Sequence, residues 1–324
     1  MYTLVPSGTD LLFNHTASHI EVGSPGQEAA PIVAFTPVRR DVDAQSFLGF
    51  EINRANPGVR VYRLANPKTL AAGYRAGGMR WFAPIGVDYT NLDEHKVPKN
   101  PYPVSVCHTA FGFHKYWFET GMESNRYWFL ANVDWLIEHR DANSYLYYPF
   151  QKEHYPGVVH TPPWVSAMAQ GEALAAACMA YQLTGQEKYL EAARSFFATL
   201  FRNSGGFWCI GVDREGYYWL EEYPSPDFCH VLNGMLFGLW GLWDYYALTG
   251  DEFALTLFEA GIKSIVDHYP SYRVDGKNGS RYCLHYAGSA GETYHAIHLI
   301  QIQTYAEFFA IPELWDAYSM FLGE

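Results

Sequence analysis

Residues 164–202 read WVSAMAQGEALAAACMAYQLTGQEKYLEAARSFFATLFR. The first half of this stretch is apolar almost throughout, with Gln170 and Glu172 as its strongly polar members. The second half is amphipathic. A helix that is apolar on all sides is buried, whereas an amphipathic helix covers the core and faces solvent. Because Gly185, after Thr184, is suited to end a helix, the stretch predicts a hairpin of one inner and one outer helix.

The same pattern occurs four times along the chain. Thr-Gly pairs at 120–121, 184–185 and 249–250 are 64 and 65 residues apart. An apolar segment precedes each pair and an amphipathic segment follows it. The apolar segments are 104–119, 164–183 and 229–248, and the amphipathic segments that follow them are 125–140, 186–202 and 252–268. A fourth unit without Thr-Gly has its two segments at 294–309 and 312–321. Alternating inner and outer helices at a fixed period are typical of helical toroids and solenoids. We therefore predict a mainly α fold, an α/α toroid of about four helical hairpins (an incomplete α/α barrel), over residues 101–324.

The first hundred residues have a different composition. They are rich in Pro, Gly, Val and Thr, and their apolar runs are short, at 32–35, 47–50 and 59–62. Short apolar runs between turn-forming residues predict strands and loops. We expect residues 1–100 to form a small extended or β segment that packs on the toroid.

The composition excludes several classes of partner. A net charge of −12 over 324 residues argues against nucleic acid, because phosphate binding requires clustered Lys and Arg. No run of about 18 apolar residues is present, so no membrane span is predicted. The first residues lack the basic and long apolar regions of a signal peptide, which predicts a cytoplasmic protein.

There is no GxSxG, P-loop or dinucleotide-binding motif, so we predict no cofactor. A homodimer is a possible assembly.

The cysteines predict neither disulfides nor a metal site. They number five, lack CxxC spacing, and three of them fall in predicted helices, so buried thiols are expected. They are Cys107, Cys178, Cys209, Cys229 and Cys283. The aromatic residues, 25 Tyr, 21 Phe and 10 Trp, suit both a helical core and a cleft that stacks on sugar rings.

In a toroid the loops that lead into the inner helices gather at one end. This topology predicts that 100–103, 160–164, 221–224 and 281–295 are neighbours, in loops of about 20–25 residues, a length that is often functional. In one of these loops Glu221, Glu222 and Tyr223 directly precede an apolar helix. Charged groups are costly there unless they are paired or used, so we expect an active site at this end.

The fourth inner helix carries Tyr294, His295 and His298 on one face, because they are three and four residues apart. A zinc site would need a third ligand, which the pattern lacks. The histidines could also be satisfied core residues, and we favour groups that hold a substrate. With Tyr223 and Tyr282 at the same rim, Tyr294 is a candidate acid or base, provided that cations lower the pKa of a phenol from its usual value of about 10.

Several motifs together resemble one known family. They are SAMAQGEA at 166–173, EEYP at 221–224, VLNG at 231–234, GLWD at 241–244, and Tyr294-His295 with His298 and Gln301. With these motifs in this order, residues from about 164 to 309 resemble the C-terminal helical domain of the D-glucuronyl C5-epimerases. Those enzymes convert glucuronate to iduronate within heparosan and heparan sulfate.

The resemblance implies both a reaction and the residues that perform it. The catalytic residues it implies are Glu222, Tyr223, Tyr282 and Tyr294. The C5 proton, alpha to the uronate carboxylate, is removed, and a proton returns on the opposite face. Because the enediolate intermediate needs cations or donors, we expect Arg281, His295 or His298 to stabilise it.

This chain departs from the family in two places. The family has an arginine three residues after the tyrosine that corresponds to Tyr282, where this chain has His285. The family also has large β-domains that are absent or reduced here.

A uronate-containing glycan is the substrate that the resemblance implies. The residues expected to contact it are Trp164, Gln170, Glu221, Asn233, Arg281, His285, His295, His298 and Gln301. Three alternatives stay open. A polysaccharide lyase shares the enediolate but expels the C4 substituent. A hydrolase needs two carboxylates across the cleft, from Glu221 or Glu222 with Asp227 or Glu292. A non-catalytic glycan-binding protein of the same fold is the third.

Overall fold

The structure, a computed structural model, describes residues 11–17, 33–39, 59–77, 89–202, 209–213, 215–223, 229–275, 278–285 and 288–323. After a short helix, α1 (Pro67–Ala71), eight helices in this part of the chain form four consecutive hairpins. They are α2 (Pro103–Thr120) and α3 (Glu123–Glu138), α4 (Ala167–Thr184) and α5 (Glu187–Ala198), α6 (Leu232–Thr249) and α7 (Glu252–His268), and α8 (Gly291–Phe309) and α9 (Pro312–Leu322). The predicted mainly α fold of four helical hairpins is confirmed.

The N-terminal strands are confirmed only in part. Strands β1 (Leu11–Ala17) and β2 (Val33–Arg39) pair antiparallel, and the predicted strand at 32–35 overlaps β2. The run at 47–50 lies outside the described residues. The strand predicted at 59–62 is wrong, because this segment bonds to the helical region instead: the Tyr62 N–H donates to the Glu259 carbonyl on α7 at 2.9 Å. The domain boundary at residue 100 stays a prediction.

The inner helices end where the glycines predict. Gly121, Gly185 and Gly250 have φ angles of 67°, 66° and 71°, the left-handed conformation that favours glycine, and each donates its N–H to the carbonyl four residues earlier. In the fourth hairpin Ala310 takes this conformation, with a φ of 54°. The fourth inner helix therefore ends in the same way without a glycine.

Burial matches the predicted inner helices of the second and third hairpins, whereas those of the first and fourth hairpins are exposed at 118–120 and at 291–294. Every residue from 167 to 180 in α4 and from 232 to 246 in α6 is buried. The N-terminal ends of the four inner helices meet, because Val104, Met168, Phe237 and Ile297 pack together. The loops that lead into these helices therefore lie at one end of the toroid, as predicted.

Short antiparallel strand pairs in the inter-hairpin loops are not predicted by the sequence pattern. The pairs are β3 (Tyr147–Tyr148) with β6 (Trp164–Val165), β4 (Lys152–Tyr155) with β5 (Val158–His160), and β7 (Ile210–Val212) with β8 (Tyr218–Leu220), all antiparallel. Strands of two to four residues are too short to show an alternating pattern. Trp164 lies in β6 and Cys229 precedes α6, so both inner helices begin later than predicted and the loops are longer.

The cysteine prediction is confirmed. All five cysteines are buried thiols, and none of them forms a disulfide. Among the helices that the structure describes, none is both long and apolar enough to cross a membrane.

Candidate active site

The inner helices open at their N-terminal ends into a cleft of about 430 Å³. One wall is aromatic and includes Tyr102, Tyr148, Phe150 and Trp164. The Trp164 ring stacks on Tyr148 at 3.9 Å and 7°, and its Nε1 donates to the Phe150 carbonyl at 2.8 Å. A second pocket of about 330 Å³ adjoins the cleft and shares three lining residues with it, Lys152, Tyr223 and Tyr294.

The four predicted acid–base residues come together at the junction of the two pockets. Tyr282 Oη donates to Glu222 Oε1 at 3.2 Å. The Tyr223 hydroxyl is close enough to both of these groups to shift their pKa values through hydrogen bonding. The Tyr294 ring meets the Tyr282 ring edge-on, with centroids 4.9 Å apart. Glu222 and Tyr223 lie in a bend after β8, which lets neighbouring side chains of an otherwise extended segment face the same cluster.

Main-chain bonds hold the two loops of this cluster side by side. The Leu232 N–H donates to the Tyr282 carbonyl, and the Leu284 N–H donates to the Cys229 carbonyl, both at 3.1 Å. Val231 and Cys283 pair as an antiparallel bridge between these bonds. These bonds fix the backbone of Tyr282 against the residues that lead into α6.

Glu222 is the group best suited to transfer a proton at neutral pH. Its side chain packs against the backbone of α6 at Gly234, where a Cβ would overlap it. Burial raises the pKa of Glu222 to about 7, and the charge of Glu172 adds to this, against opposing hydrogen bonds from Tyr223 and Tyr282. A carboxyl group with a pKa near the working pH can both accept and return a proton.

The tyrosines do not have the lowered pKa values that a phenolate base requires. Burial, followed by the negative charge of Glu222, raises the pKa of Tyr223 and of Tyr282 well above the usual value. The pKa of Tyr294 is raised by the same two causes. The condition for a phenolate base, that cations lower its pKa, is therefore not met, and the phenols are neutral hydrogen-bond donors.

Among the described lysines and arginines, Lys152 lines the cleft, and the sequence pattern does not single it out. It lies at the start of β4, lines both pockets, and its charge lowers the pKa of Glu222. The predicted Arg281 instead donates through Nε to the Arg273 carbonyl at 3.1 Å. His285 is exposed, and its charge acts on the pKa of His154.

Two of the predicted substrate-binding amides are bound within the protein. Gln170 is fully buried, where its Nε2 donates to the Ser144 carbonyl and its Oε1 accepts from the Leu146 N–H. Gln301, also fully buried, donates to the Asn233 carbonyl at 3.2 Å. Asn233 does line the cleft, as does Trp164.

The adjacent carboxylates Glu221 and Glu222 have different surroundings. Glu221 is fully buried and its Oε1 lies 2.6 Å from His230 Nδ1, while its Oε2 accepts from the His230 N–H at 3.1 Å. The His230 ring stacks on Trp219 at 3.8 Å. Glu221 therefore fixes the loop before α6 and does not reach the cleft. Of the other carboxylates considered for a hydrolase, Glu292 is exposed in the first turn of α8 and Asp227 lies outside the described residues.

The two histidines of α8 share a hydroxyl group. Ser280 Oγ lies 3.1 Å from His295 Nδ1 and 2.7 Å from His298 Nδ1. Burial and then the charge of His295 lower the pKa of His298 to about 3, so His298 is neutral and cannot serve as a cation for an enediolate. In the ranges that the structure describes, no group of three His, Cys, Asp or Glu residues could hold a metal ion.

A second titratable pair at the cleft was missed. His108 lines the cleft from α2, and its Nε2 lies 3.0 Å from Glu172 Oε1 on α4. Glu172 interrupts an otherwise apolar helix, and a charge in such a helix predicts a buried partner. No spacing in the sequence identifies that partner as His108, 64 residues away.

Comparison with known proteins identifies similar sequences. Residues 140–322 match the family described as "D-glucuronyl C5-epimerase C-terminus". A D-glucuronyl C5-epimerase of Caenorhabditis elegans is 30% identical over 196 residues, which is 55% of this chain and 31% of that protein. An uncharacterised protein of Methanocaldococcus jannaschii is 34% identical over 113 residues, 34% of this chain and 36% of that protein. The matched segments thus span about a third of the length of these relatives.

Solved structures give weaker similarities. An unsaturated glucuronyl hydrolase from Streptococcus agalactiae has a TM-score of 0.45 and 12% identity, over 82% of this chain and 84% of that one. A glycoside hydrolase family 76 mannosidase from Bacteroides thetaiotaomicron has a TM-score of 0.43 and 16% identity, over 66% of this chain and 55% of that one. Similarity at this level carries no argument about activity.

Proposed function

The chain belongs to the D-glucuronyl C5-epimerase family, and within this family of carbohydrate epimerases we propose that it inverts C5 of a D-glucuronate residue in a uronate-containing glycan or glycoside, giving iduronate. The observation that carries the proposal is Glu222, a cleft carboxyl group with a pKa of about 7 that is hydrogen-bonded to Tyr282. No cofactor is needed for this reaction, because the substrate carboxylate itself delocalises the charge that develops at C5.

The proposed reaction begins with proton removal by Glu222. The ionised carboxylate takes the proton from C5, and the electron pair of the C–H bond moves into an enediolate on the substrate carboxyl group. The Lys152 ammonium and the neutral phenols of Tyr223 and Tyr282 supply the positive charge and the donors that stabilise this anion. Inversion then requires a proton on the opposite face. Tyr282 is bonded to Glu222 and therefore lies on the side from which the proton leaves.

Hydrogen exchange tests the proposal directly. The protein is incubated in D2O with a panel of uronate polymers and small glucuronides, and C5 is followed by NMR. We expect deuterium at C5 together with a change of configuration, and no new ultraviolet absorbance. An unsaturated, absorbing product would instead support the β-eliminating lyase, and the absence of C5 exchange on every uronate would contradict the proposal.

The pH dependence should report the raised pKa of Glu222. Because only the ionised carboxylate can take the C5 proton, a raised pKa delays activity to higher pH. We expect kcat/KM for glucuronate to increase with pH through a midpoint of about 7 and then to level off. Initial rates of C5 deuterium incorporation between pH 5 and 9 measure this midpoint. A midpoint near the ordinary glutamate value of 4.5 would contradict the assignment.

Replacing Lys152 with Met should weaken recognition of the uronate carboxylate. An exposed ammonium group contributes modestly to binding, so we expect a decrease in kcat/KM of about tenfold. The midpoint of the pH profile should also move up, because Lys152 lowers the pKa of Glu222. Lys188→Met is the matched control, since Lys188 lies on the outer helix α5 and pairs with Asp134. Equal kinetics for the Lys152 and Lys188 variants would exclude this role.

A further inference from the structure

The β4–β5 hairpin, at the second pocket, carries a β-bulge. The antiparallel ladder of the two strands shifts register between Glu153 and Tyr155, so His154 is an extra residue of β4. A bulge bends its strand and changes the direction of the side chain that it carries, and bulges are frequent next to active sites. The direction of the His154 side chain is therefore a feature of the hairpin that calls for a function.

His154 lies flat against the ring of Tyr223. The two ring centroids are 4.7 Å apart and the ring planes differ by 6°, which is within the range of offset-stacked aromatic pairs. His154 lines the second pocket, whereas Tyr223 lines both pockets. His154 therefore contacts Tyr223 from the side of the second pocket.

His160, on the other strand of the hairpin, fixes the His154 ring in turn. His160 Nε2 lies 2.6 Å from His154 Nδ1, and His160 is fully buried. The His160 ring also meets Tyr223, with centroids 5.6 Å apart. The Glu153 carboxylate accepts the Gly157 N–H at 2.8 Å and closes the turn of the hairpin. The bulge and the hydrogen bond from strand to strand together set the position of the His154 ring.

At neutral pH the two imidazoles are uncharged. Burial, followed by the charges of Lys152 and His285, lowers the pKa of His154 to about 4. Burial also lowers the pKa of His160 well below its usual value. The hairpin therefore offers Tyr223 a flat, neutral surface and not an acidic proton.

We propose that His154 is a positioning residue, whose stack holds the Tyr223 phenol in the direction that proton transfer requires. This rests on the proposed C5 epimerisation. The Tyr223 hydroxyl lies within hydrogen-bonding reach of Glu222 and Tyr282, and rotation of the side chain about its Cα–Cβ bond would take it away from both. The flat contact with His154 opposes this rotation, because turning the phenol would separate the two rings.

Substitutions of His154 test the stack by its effect on kcat. In His154→Ala, we expect kcat for C5 inversion of a small glucuronide to decrease by about 10- to 100-fold, the cost of a misplaced group. KM should stay near the wild-type value, because the loss lies in the transition state. His154→Phe keeps a flat ring without the nitrogens, and it should restore most of kcat. His139→Ala is the matched control: this histidine stacks on Trp135 at 3.9 Å and 13° just after the outer helix α3, and its loss should change neither constant.

A titration of Glu222 separates positioning from a structural role and needs no activity. Burial raises the pKa of Glu222 to about 7, and the hydrogen bond from Tyr223 opposes this rise. When Tyr223 turns away, that opposition is lost. Carbon-13 NMR of the Glu222 carboxyl group, assigned with Glu222→Gln, should therefore show a higher pKa in folded His154→Ala and the wild-type pKa in His154→Phe. A loss of stability alone does not move the titration of the folded molecules.

Three results would overturn the proposal. The first is an unchanged Glu222 titration in folded His154→Ala, and the second is an unchanged kcat in that variant. The third is a decrease of kcat by more than about tenfold in His154→Phe, since this would mean that the ring nitrogens and not the stack are needed. If His154→Ala does not fold, His154→Phe decides alone. Wild-type protein without any C5 exchange would instead contradict the epimerase function, and the Glu222 titration would still test how Tyr223 is held.

Discussion

Replacing Glu222 with Gln is expected to lower the rate of glucuronate C5 inversion by about 10³-fold, within the range that a positioned acid or base contributes. The amide is nearly isosteric and can still accept the hydrogen bond from Tyr282, so the cleft should keep its shape. What it cannot do is take a proton from C5. Initial rates of deuterium incorporation and of iduronate formation, measured with saturating glucuronide, give the decrease in kcat. A loss of less than tenfold would mean that another group removes the proton.

Stability measurements provide the control for this variant, because the native carboxyl group is destabilising when ionised. The pKa of Glu222 is higher in the folded protein, about 7, than its ordinary value of 4.5. The folded state therefore binds this proton more tightly, and wild-type stability decreases as pH rises from about 4.5 to 7. Glu222→Gln lacks this decrease, so it should be the more stable protein at pH 8. Urea unfolding at pH 5 and pH 8 measures the difference.

Replacing Glu221 with Ala should greatly lower the stability of the protein, whereas Glu222→Gln should raise it at pH 8. The change removes the acceptor of two hydrogen bonds from His230, in a place where water does not reach the carboxylate. Leaving buried donors next to a vacated carboxylate site costs about 3 kcal/mol of the free energy of unfolding. Urea denaturation followed by circular dichroism measures this loss. Glu221→Gln retains an acceptor and should lose clearly less. A change within about 0.5 kcal/mol for Glu221→Ala would show that the pair is not structural.

The helical framework was predictable because its signals are local and repeated. Gly121, Gly185 and Gly250 mark three helix ends at a nearly constant period, and each follows a mostly apolar segment. At position 310 no glycine marks the helix end, and an alanine ends the fourth inner helix in the same conformation. The short strand pairs were not predictable, since pairing over two to four residues depends on the tertiary packing around them.

The candidate site was predictable where the chain brings its residues together in sequence, and not where only packing does. Glu222 and Tyr223 are adjacent, and the toroid topology places Tyr282 and Tyr294 at the same rim. The residue pattern alone could not separate Glu222 from its neighbour Glu221, which only the family resemblance did, because the difference depends on which side chain meets His230. Lys152 was missed for a different reason: it stands on a short strand, β4, whose position follows from tertiary packing.

The paired backbones of residues 229–232 and 282–284 also bear on how the site could be re-engineered. Two segments about fifty residues apart are joined there by main-chain hydrogen bonds, which any side chain leaves in place. Substitutions at Tyr282 would therefore test new acids, bases or nucleophiles at a nearly constant position beside the residues that lead into α6. The rim of this toroid could therefore serve as a scaffold on which catalytic side chains are replaced while the backbone stays the same.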